Sequence, residues 1–249
     1  MVQPAIFRKL SCAVSEISLL IATRNAHKAG EIRAILGDGF RLLTLADFPA
    51  APPVVEDAPT FAGNATKKAV ELARWLRGQF PGRQTPDPRP DFVLADDSGL
   101  EVDALNGAPG VHSARFAAAD SAKSGNTPDA DNNAKLLRRL QDVPAEKRTA
   151  RFRCVLALVV VGSREPGTGN ASPVCYMPEG EMPVELFEGV CEGRIGFEPC
   201  GQNGFGYDPL FIPTGYDQTF AELGETTKNQ LSHRAKALAK LRGWLRRAG

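Results

Sequence analysis

Histidine is scarce in this chain of 249 residues, which holds only His27, His112 and His233. That excludes a histidine-rich transition-metal centre and leaves oxygen ligands, the preference of magnesium, for any bound metal. Cysteine offers no scaffold either. Cys12, Cys154, Cys175, Cys191 and Cys200 are odd in number and scattered, with no C-x-x-C pair. They suit neither a disulfide framework nor a zinc site and read as reduced thiols of a cytoplasmic protein. Long apolar runs are missing. The longest, Val155 to Val161, is too short to span a bilayer, and the first, Ile17 to Ala22, follows polar residues unlike those of a secretory signal. No membrane association is expected. Charge of one sign is also lacking: 30 basic and 29 acidic residues leave a formal net charge of +1. This argues against a broad footprint for nucleic acid while leaving room for a local basic pocket. What is present, 43% hydrophobic and 24% charged residues, is the balance of an ordinary globular protein with one large or two closely packed lobes.

Along the chain, residues 1–16 show no periodicity and are expected to form an accessory extension before a single domain over 17–249. A strand is expected at Ile17–Ala22, then a helix from Lys28 to Leu36 with Ile32, Ile35 and Leu36 on one face and Gly37 as its stop. A proline-rich loop leads to a second helix from about Asn64, striped by Ala65, Ala69, Leu72, Ala73 and Leu76. Phe92–Ala95 reads as a short buried strand that delivers Asp96, Asp97, Ser98 and Gly99 at its C-terminal end. A helix is expected over Asn132–Gln141, a strand over Phe152–Val161, an inserted loop near 162–183, a strand over Val184–Val190 and an amphipathic helix from Ser232 to Leu245. Strands alternating with helices, plus adjacent strands, indicate an α/β fold with a mixed sheet.

Four segments have chemical potential. Thr23, Arg24, Asn25, Ala26, His27 and Lys28 lie between a strand and a helix, where backbone N–H groups, the helix dipole and the lysine can converge on a phosphate. The segment lacks the G-x-x-x-x-G-K-[ST] pattern, and the plain alternative is a helix cap with a solvated lysine. Asp96 and Asp97 place two carboxylates at a strand exit, costly without a cation, although Asp-Asp-Ser-Gly also suits an ordinary turn. Because neighbours in a strand point to opposite faces, one aspartate is expected to face the site and the other to brace it. Gly204, Phe205, Gly206, Tyr207 and Asp208 combine flexible glycines with aromatics, which fits stacking on a flat base or a tight turn over core aromatics. Lys228, His233 and Arg234 sit at a helix entrance with Ser232 as its cap.

In order, Ala22–Glu31, Thr60–Ala69, Ala95–Leu100, Pro109–Arg115, Gly204–Pro209 and Lys228–Arg234 resemble the inosine triphosphatase, or Ham1-like, family of non-canonical purine nucleoside triphosphate pyrophosphatases. The likeness extends over most of residues 18–241. It implies an elongated α/β fold with a mixed sheet and flanking helices, two lobes around a central nucleotide cleft, and a homodimer. It implies hydrolysis of ITP, dITP and XTP to the monophosphate and pyrophosphate with Mg2+ as cofactor. Asp97 takes the position of the catalytic carboxylate and, with Glu56, of the metal ligands. Thr23, Asn25, Lys28, Lys68 and Ser98 take those of the phosphate and ribose contacts, within a substrate segment that also includes Arg24, Ala26 and His27. Phe205, Gly206, Tyr207, Asp208, Lys228, His233 and Arg234 take those of base recognition. Phe205 is expected to stack on the purine while His233 and Arg234 donate to its 6-oxo edge, which disfavours adenine.

Departures from the family pattern are Gly63 in place of an acid, His112 in place of tyrosine, Ala118 or Ala119 near a usual glycine, and the 162–183 insertion. None removes an expected contact residue. The rival expectations are a Maf-like pyrophosphatase of other specificity, disfavoured by the Phe205–Pro209 and Ser232–Arg234 blocks, and a nucleotide sensor without catalysis.

Overall fold

In a computed structural model of the chain, described over residues 17–79, 89–120, 125–161 and 182–248, the first strand, β1 (Ser18–Ile21), is buried at every position. That is the mark of a strand covered on both faces. It lies between two parallel neighbours, β2 (Arg41–Thr44) and β3 (Phe92–Val102). β3 then pairs antiparallel with β4 (Thr149–Val160), which pairs with β5 (Val184–Ile195), and β5 with β6 (Phe211–Pro213). The result is a six-stranded mixed sheet in the order β2-β1-β3-β4-β5-β6. Helices α1 (Ala26–Leu36), α2 (Phe61–Gln79), α3 (Asp129–Arg139), α4 (Phe220–Leu231) and α5 (His233–Ala248) flank it. The α/β class with a mixed sheet is therefore as expected. The 1–16 extension and all but residues 182 and 183 of the 162–183 loop lie outside the described residues.

Strand parity organises the core. The odd residues Val93 and Ala95 of β3, with Val155, Ala157 and Val159 of β4, pack under α2. The even residues Phe92 and Leu94, with Leu156 and Leu158, pack under α1 and α5. Further along the same even face, Leu100, Val102, Ala150 and Phe152 build a third cluster with Leu136 of α3 and Phe220 of α4. Between the two even-face clusters stand Asp96 and Ser98, joined by a hydrogen bond of 2.9 Å.

Several elements differ from expectation. β3 runs for eleven residues, so Asp96 to Gly99 lie inside a strand and not in a turn at its end. The reason is that β1 stops opposite Leu94 while β4 continues as partner to Val102. β2 went unforeseen because it is a short, half-exposed edge with little pattern to detect. α4 also went unforeseen; it is kinked at Gly224, whose φ of 76° lies outside helical geometry and breaks the period. Lys228 closes α4, so the Lys228–Arg234 segment spans two helices, and Ser232 caps the second by accepting from Ala235 N at 3.2 Å. α2 and α3 each begin three residues earlier than expected, at Phe61 and Asp129.

Helix α5 approaches β5 so closely that a Cβ on Gly189 would run into the carbonyl of His233 and come within 2.6 Å of Ala237 N. These obstacles are backbone and cannot swing away. Gly189→Ala is expected to lower stability by about 1–3 kcal/mol, as overpacking does, and to weaken substrate binding, since α5 carries His233 and Arg234. Thermal melts and KM together test this. An unchanged melting temperature would show that the helix can shift at no cost.

Candidate active site

The loop between β1 and α1 is held at the sheet by Ala22 N donating to Leu94 O at 2.8 Å. Asn25 caps α1, its side chain accepting from Lys28 N at 3.0 Å, and Thr23 Oγ1 accepts from Asn25 N at 3.1 Å. The cap is therefore real, but the lysine is not solvated. Lys28 Nζ lies 2.7 Å from Asp96 Oδ1.

β3 continues beyond the end of β1 and sends its two aspartates to opposite faces. Asp97 points toward α2, where Asn64 Nδ2 donates to it at 3.2 Å and Lys68 Nζ stands 3.3 Å away. The same ammonium donates to Glu56 Oε2 at 2.9 Å and to Asp96 O at 2.8 Å. Burial pushes the Asp97 carboxyl up to about 6, since the pull of Lys68 and Lys28 is offset by Glu56 and Asp96. Glu56 goes the other way: burial opposes its charge, but Lys68 outweighs burial and lowers it. Lys68 is buried too, yet Asp97 and Glu56 hold it above the usual lysine range.

Asp96 points toward α1 and α5. Arg234 of α5, 1% exposed, donates Nε to Asp96 Oδ2 at 2.9 Å and Nη2 to Ser98 Oγ at 2.8 Å, while its Nη1 bonds Glu31 of α1. Cys154 Sγ is 3.3 Å from the same carboxylate. Burial alone would raise Asp96, but Arg234 and Lys28 hold it well below the carboxylate range. This aspartate is a permanent anion that frames the site.

Thr23, Arg24, Asn25, Lys28, Glu56, Lys68, Asp96, Asp97 and Ser98 line one polar cavity of about 400 Å³. A narrower cavity of about 100 Å³ shares Asn25, Lys28 and Ser98 with it and is walled by Phe205, Gly206, Tyr207, Asp208, Lys228, His233 and Arg234. A molecule with an anionic end and a flat end can thus occupy both. Ala26 lines neither, and His27 stacks on Phe205 with ring centroids 5.2 Å apart.

In the narrow cavity Asp208 accepts from Lys228 Nζ at 2.5 Å and from Phe205 N at 2.8 Å. The Tyr207 hydroxyl donates to Ser113 O at 2.9 Å, which fixes the aromatic loop against the 3-10 segment Gly110–Asp120. His233 stacks on Phe152 with centroids 4.8 Å apart, and its Nδ1 is buried without a partner among the described residues. Burial drives its pKa well below that of a free imidazole, with Arg234 and Lys228 adding to the effect, so the ring is neutral.

Five contributing residues escaped the reading of the sequence by chemistry. Glu31 binds both Lys228, at 2.6 Å, and Arg234. Its spacing of three from Lys28 on one helix face was an available signal. Asn64 precedes Lys68 by four residues on the α2 stripe, so a polar pair on an apolar face marked the spot. Asp129 and Asn133, also four apart on α3, hold Gly206 at its N–H (2.6 Å) and its carbonyl (3.0 Å). Arg115 donates to Glu56 O at 3.2 Å, and nothing in its local sequence announces that contact.

Two carboxylates, Glu56 and Asp97, converge at the large cavity, and no group of three His, Cys, Asp or Glu side chains placed to hold a metal exists among the described residues. Two carboxylates with the remaining positions left to substrate phosphates is the way magnesium is commonly held. The donor set fits that ion.

A sequence profile described as the Ham1 family matches residues 19–244. The chain is 42% identical to a protein of Shouchella clausii named dITP/XTP pyrophosphatase, over 90% of this chain and 94% of that one. It is 45% identical to the protein of that name from Geobacillus kaustophilus, over 90% and 91%. Among solved structures it is similar to the Ham1 protein of Staphylococcus aureus, with a TM-score of 0.69 and 31% identity, covering 93% of this chain and all of that one. The nucleoside-triphosphatase / dITP/XTP pyrophosphatase of Mycobacterium abscessus superposes with a TM-score of 0.61 at 39% identity, covering 90% and 98%.

Proposed function

Because the chain belongs to the Ham1 family, we propose that it hydrolyses the non-canonical purine nucleotides ITP, dITP and XTP to the monophosphate and pyrophosphate. The observation that carries this is the polar cavity holding Asp97, raised to about 6, joined through Asn25, Lys28 and Ser98 to an aromatic-walled slot. In the metal-free site burial makes this carboxylate a stronger proton acceptor than an exposed aspartate.

In this reading the triphosphate lies in the large cavity and the purine in the narrow one. Glu56 and Asp97 would hold magnesium, which would supply charge neutralisation to the phosphates. Asp97 takes the proton of a water aimed at the α-phosphorus. Asn64 and Lys68 keep its carboxylate oriented by the bonds described above. Lys28 and Lys68, beside Asp97, balance the charge at the α-phosphate under attack, so that catalysis rests on position and electrostatics. Phe205 stacks on the purine once His27 yields that face. Arg234, whose Nε, Nη1 and Nη2 already bind Asp96, Glu31 and Ser98, sets the frame. Neutral His233 is then the side chain that reads the 6-position. A donor that pairs with a 6-oxo group meets another donor in adenine, and two buried donors left unpaired cost orders of magnitude in rate. The active unit in this proposal is a single catalytic domain over 17–249, working as a cytoplasmic homodimer.

Pyrophosphate release from ITP, XTP, GTP and ATP tests the assignment in one assay. ITP and XTP are expected to turn over at least a hundredfold faster than ATP, with the monophosphate as co-product. Equal rates on ATP and ITP would defeat the proposed specificity, and a nucleoside diphosphate with orthophosphate would place attack at the γ-phosphorus.

A further inference from the structure

Four cationic side chains line the large cavity: Arg24, Lys28, Lys68 and Arg115. Two of them are already matched by carboxylates. Lys28 pairs with Asp96 at 2.7 Å, and Lys68 with Glu56 and Asp97 at 2.9 and 3.3 Å. The arginines are different. Neither has a carboxylate partner among the described residues; each makes one hydrogen bond, from Nη2 to a backbone carbonyl. Arg24 reaches Ala51 O at 3.1 Å and Arg115 reaches Glu56 O at 3.2 Å. A guanidinium carries five N–H donors in a rigid fork suited to phosphate, so most of that capacity is unused at the cavity wall. The two carbonyls are the two ends of one segment, 51–56, which carries Glu56.

From this we infer that Arg24 and Arg115 bind the β- and γ-phosphates, the part that leaves as pyrophosphate, and that their hold on both ends of 51–56 ties that grip to the position of Glu56. The inference deepens the pyrophosphatase reading and rests on it. A triphosphate needs cations whose charge is not already spent, and in this cavity the lysines stand against carboxylates while the arginines do not. Charge-assisted bonds to phosphate are the strong ones, and a planar fork makes them in pairs. The division of labour follows. Lys28 and Lys68 serve the reacting end, beside Asp97, and the arginines serve the leaving end.

Calorimetric titration of inorganic pyrophosphate, and separately of IMP, into the full chain in EDTA decides the matter without any dependence on turnover. Arg24→Ala and Arg115→Ala are each expected to weaken pyrophosphate binding about tenfold and the double variant about a hundredfold. IMP affinity is expected to stay within about twofold, which also reports that the variants are folded. Arg115→Lys, which keeps the charge and loses the fork, should fall between. An unchanged pyrophosphate affinity in the double variant would overturn the assignment. So would a parallel loss of pyrophosphate and IMP affinity, the signature of a collapsed 51–56 loop. Release of orthophosphate from ITP by the wild-type chain would instead defeat the functional reading, and the titration still judges the arginines by themselves.

Discussion

Asp97→Asn is expected to lose at least a hundredfold in pyrophosphate release while making the metal-free protein more stable at neutral pH. The catalytic loss is the usual effect of removing a general base. The gain follows from linkage. The folded carboxyl titrates at about 6 against an ordinary value of 3.8, so the folded state takes up a proton before the unfolded chain does as pH falls. Above pH 6 the buried charge therefore costs stability, at most about 3 kcal/mol from a shift of this size. Replacing the carboxylate also weakens its bonds with Lys68 and Asn64, which leaves a net gain of about 1–2 kcal/mol. The advantage should be complete above about pH 7 and fade between pH 6 and pH 4, where the wild-type carboxyl is neutral in the fold. Thermal denaturation in EDTA at pH 7.5 and 4.5 measures it. A variant less stable than wild type at both values would show that burial does not strain this carboxylate.

The opposite outcome is expected at the neighbouring position. Arg234→Ala should destabilise the fold by about 3–5 kcal/mol, the range for breaking a buried ion pair by deleting one member. It leaves Asp96 with Lys28 alone and Glu31 with Lys228 alone. Pairing it with Asp96→Asn should cost far less than the sum of the single changes, because the double variant has no stranded charge at Asp96. Arg234→Lys should lie between, keeping the charge while losing the simultaneous reach to Asp96, Glu31 and Ser98. Urea unfolding of the four proteins gives the coupling. Additive losses would mean that Arg234 and Asp96 do not act as a unit.

These two expectations differ because adjacent aspartates occupy opposite faces of β3, and that much was legible in the sequence. The period of two in a strand required it, and the apolar residues from Phe92 to Ala95 announced the strand itself. The length of β3 was not legible, because Asp-Asp-Ser-Gly has a turn's composition. The pairing of Asp96 to Val102 with β4, from Leu156 back to Ala150, keeps it extended. The helical stripes of α2 and α5 were readable from their spacing. Glycine at 224 hid α4, since its positive φ breaks the very period that marks a helix. Asp97 was marked by its own chemistry, whereas Lys68 and Glu56 came from likeness to a family; the meeting of both carboxylates at the Lys68 ammonium depends on a loop and a helix that no local pattern brings together. Arg115 was beyond reach for the same reason: its contact with Glu56 joins residues 59 positions apart.

A strand that separates two carboxylates by parity also restricts how its gene can change. Point substitutions along β3 alter one contact at a time, but losing or gaining a single codon between Phe92 and Ala95 would rotate every later side chain by half a turn. Asp96 would then face α2 and Asp97 would face Arg234. The chemistry of the two aspartates would be exchanged, and Leu100 and Val102 would leave the core together. A substitution in this segment is felt at one position, whereas a change of length is felt at all those that follow.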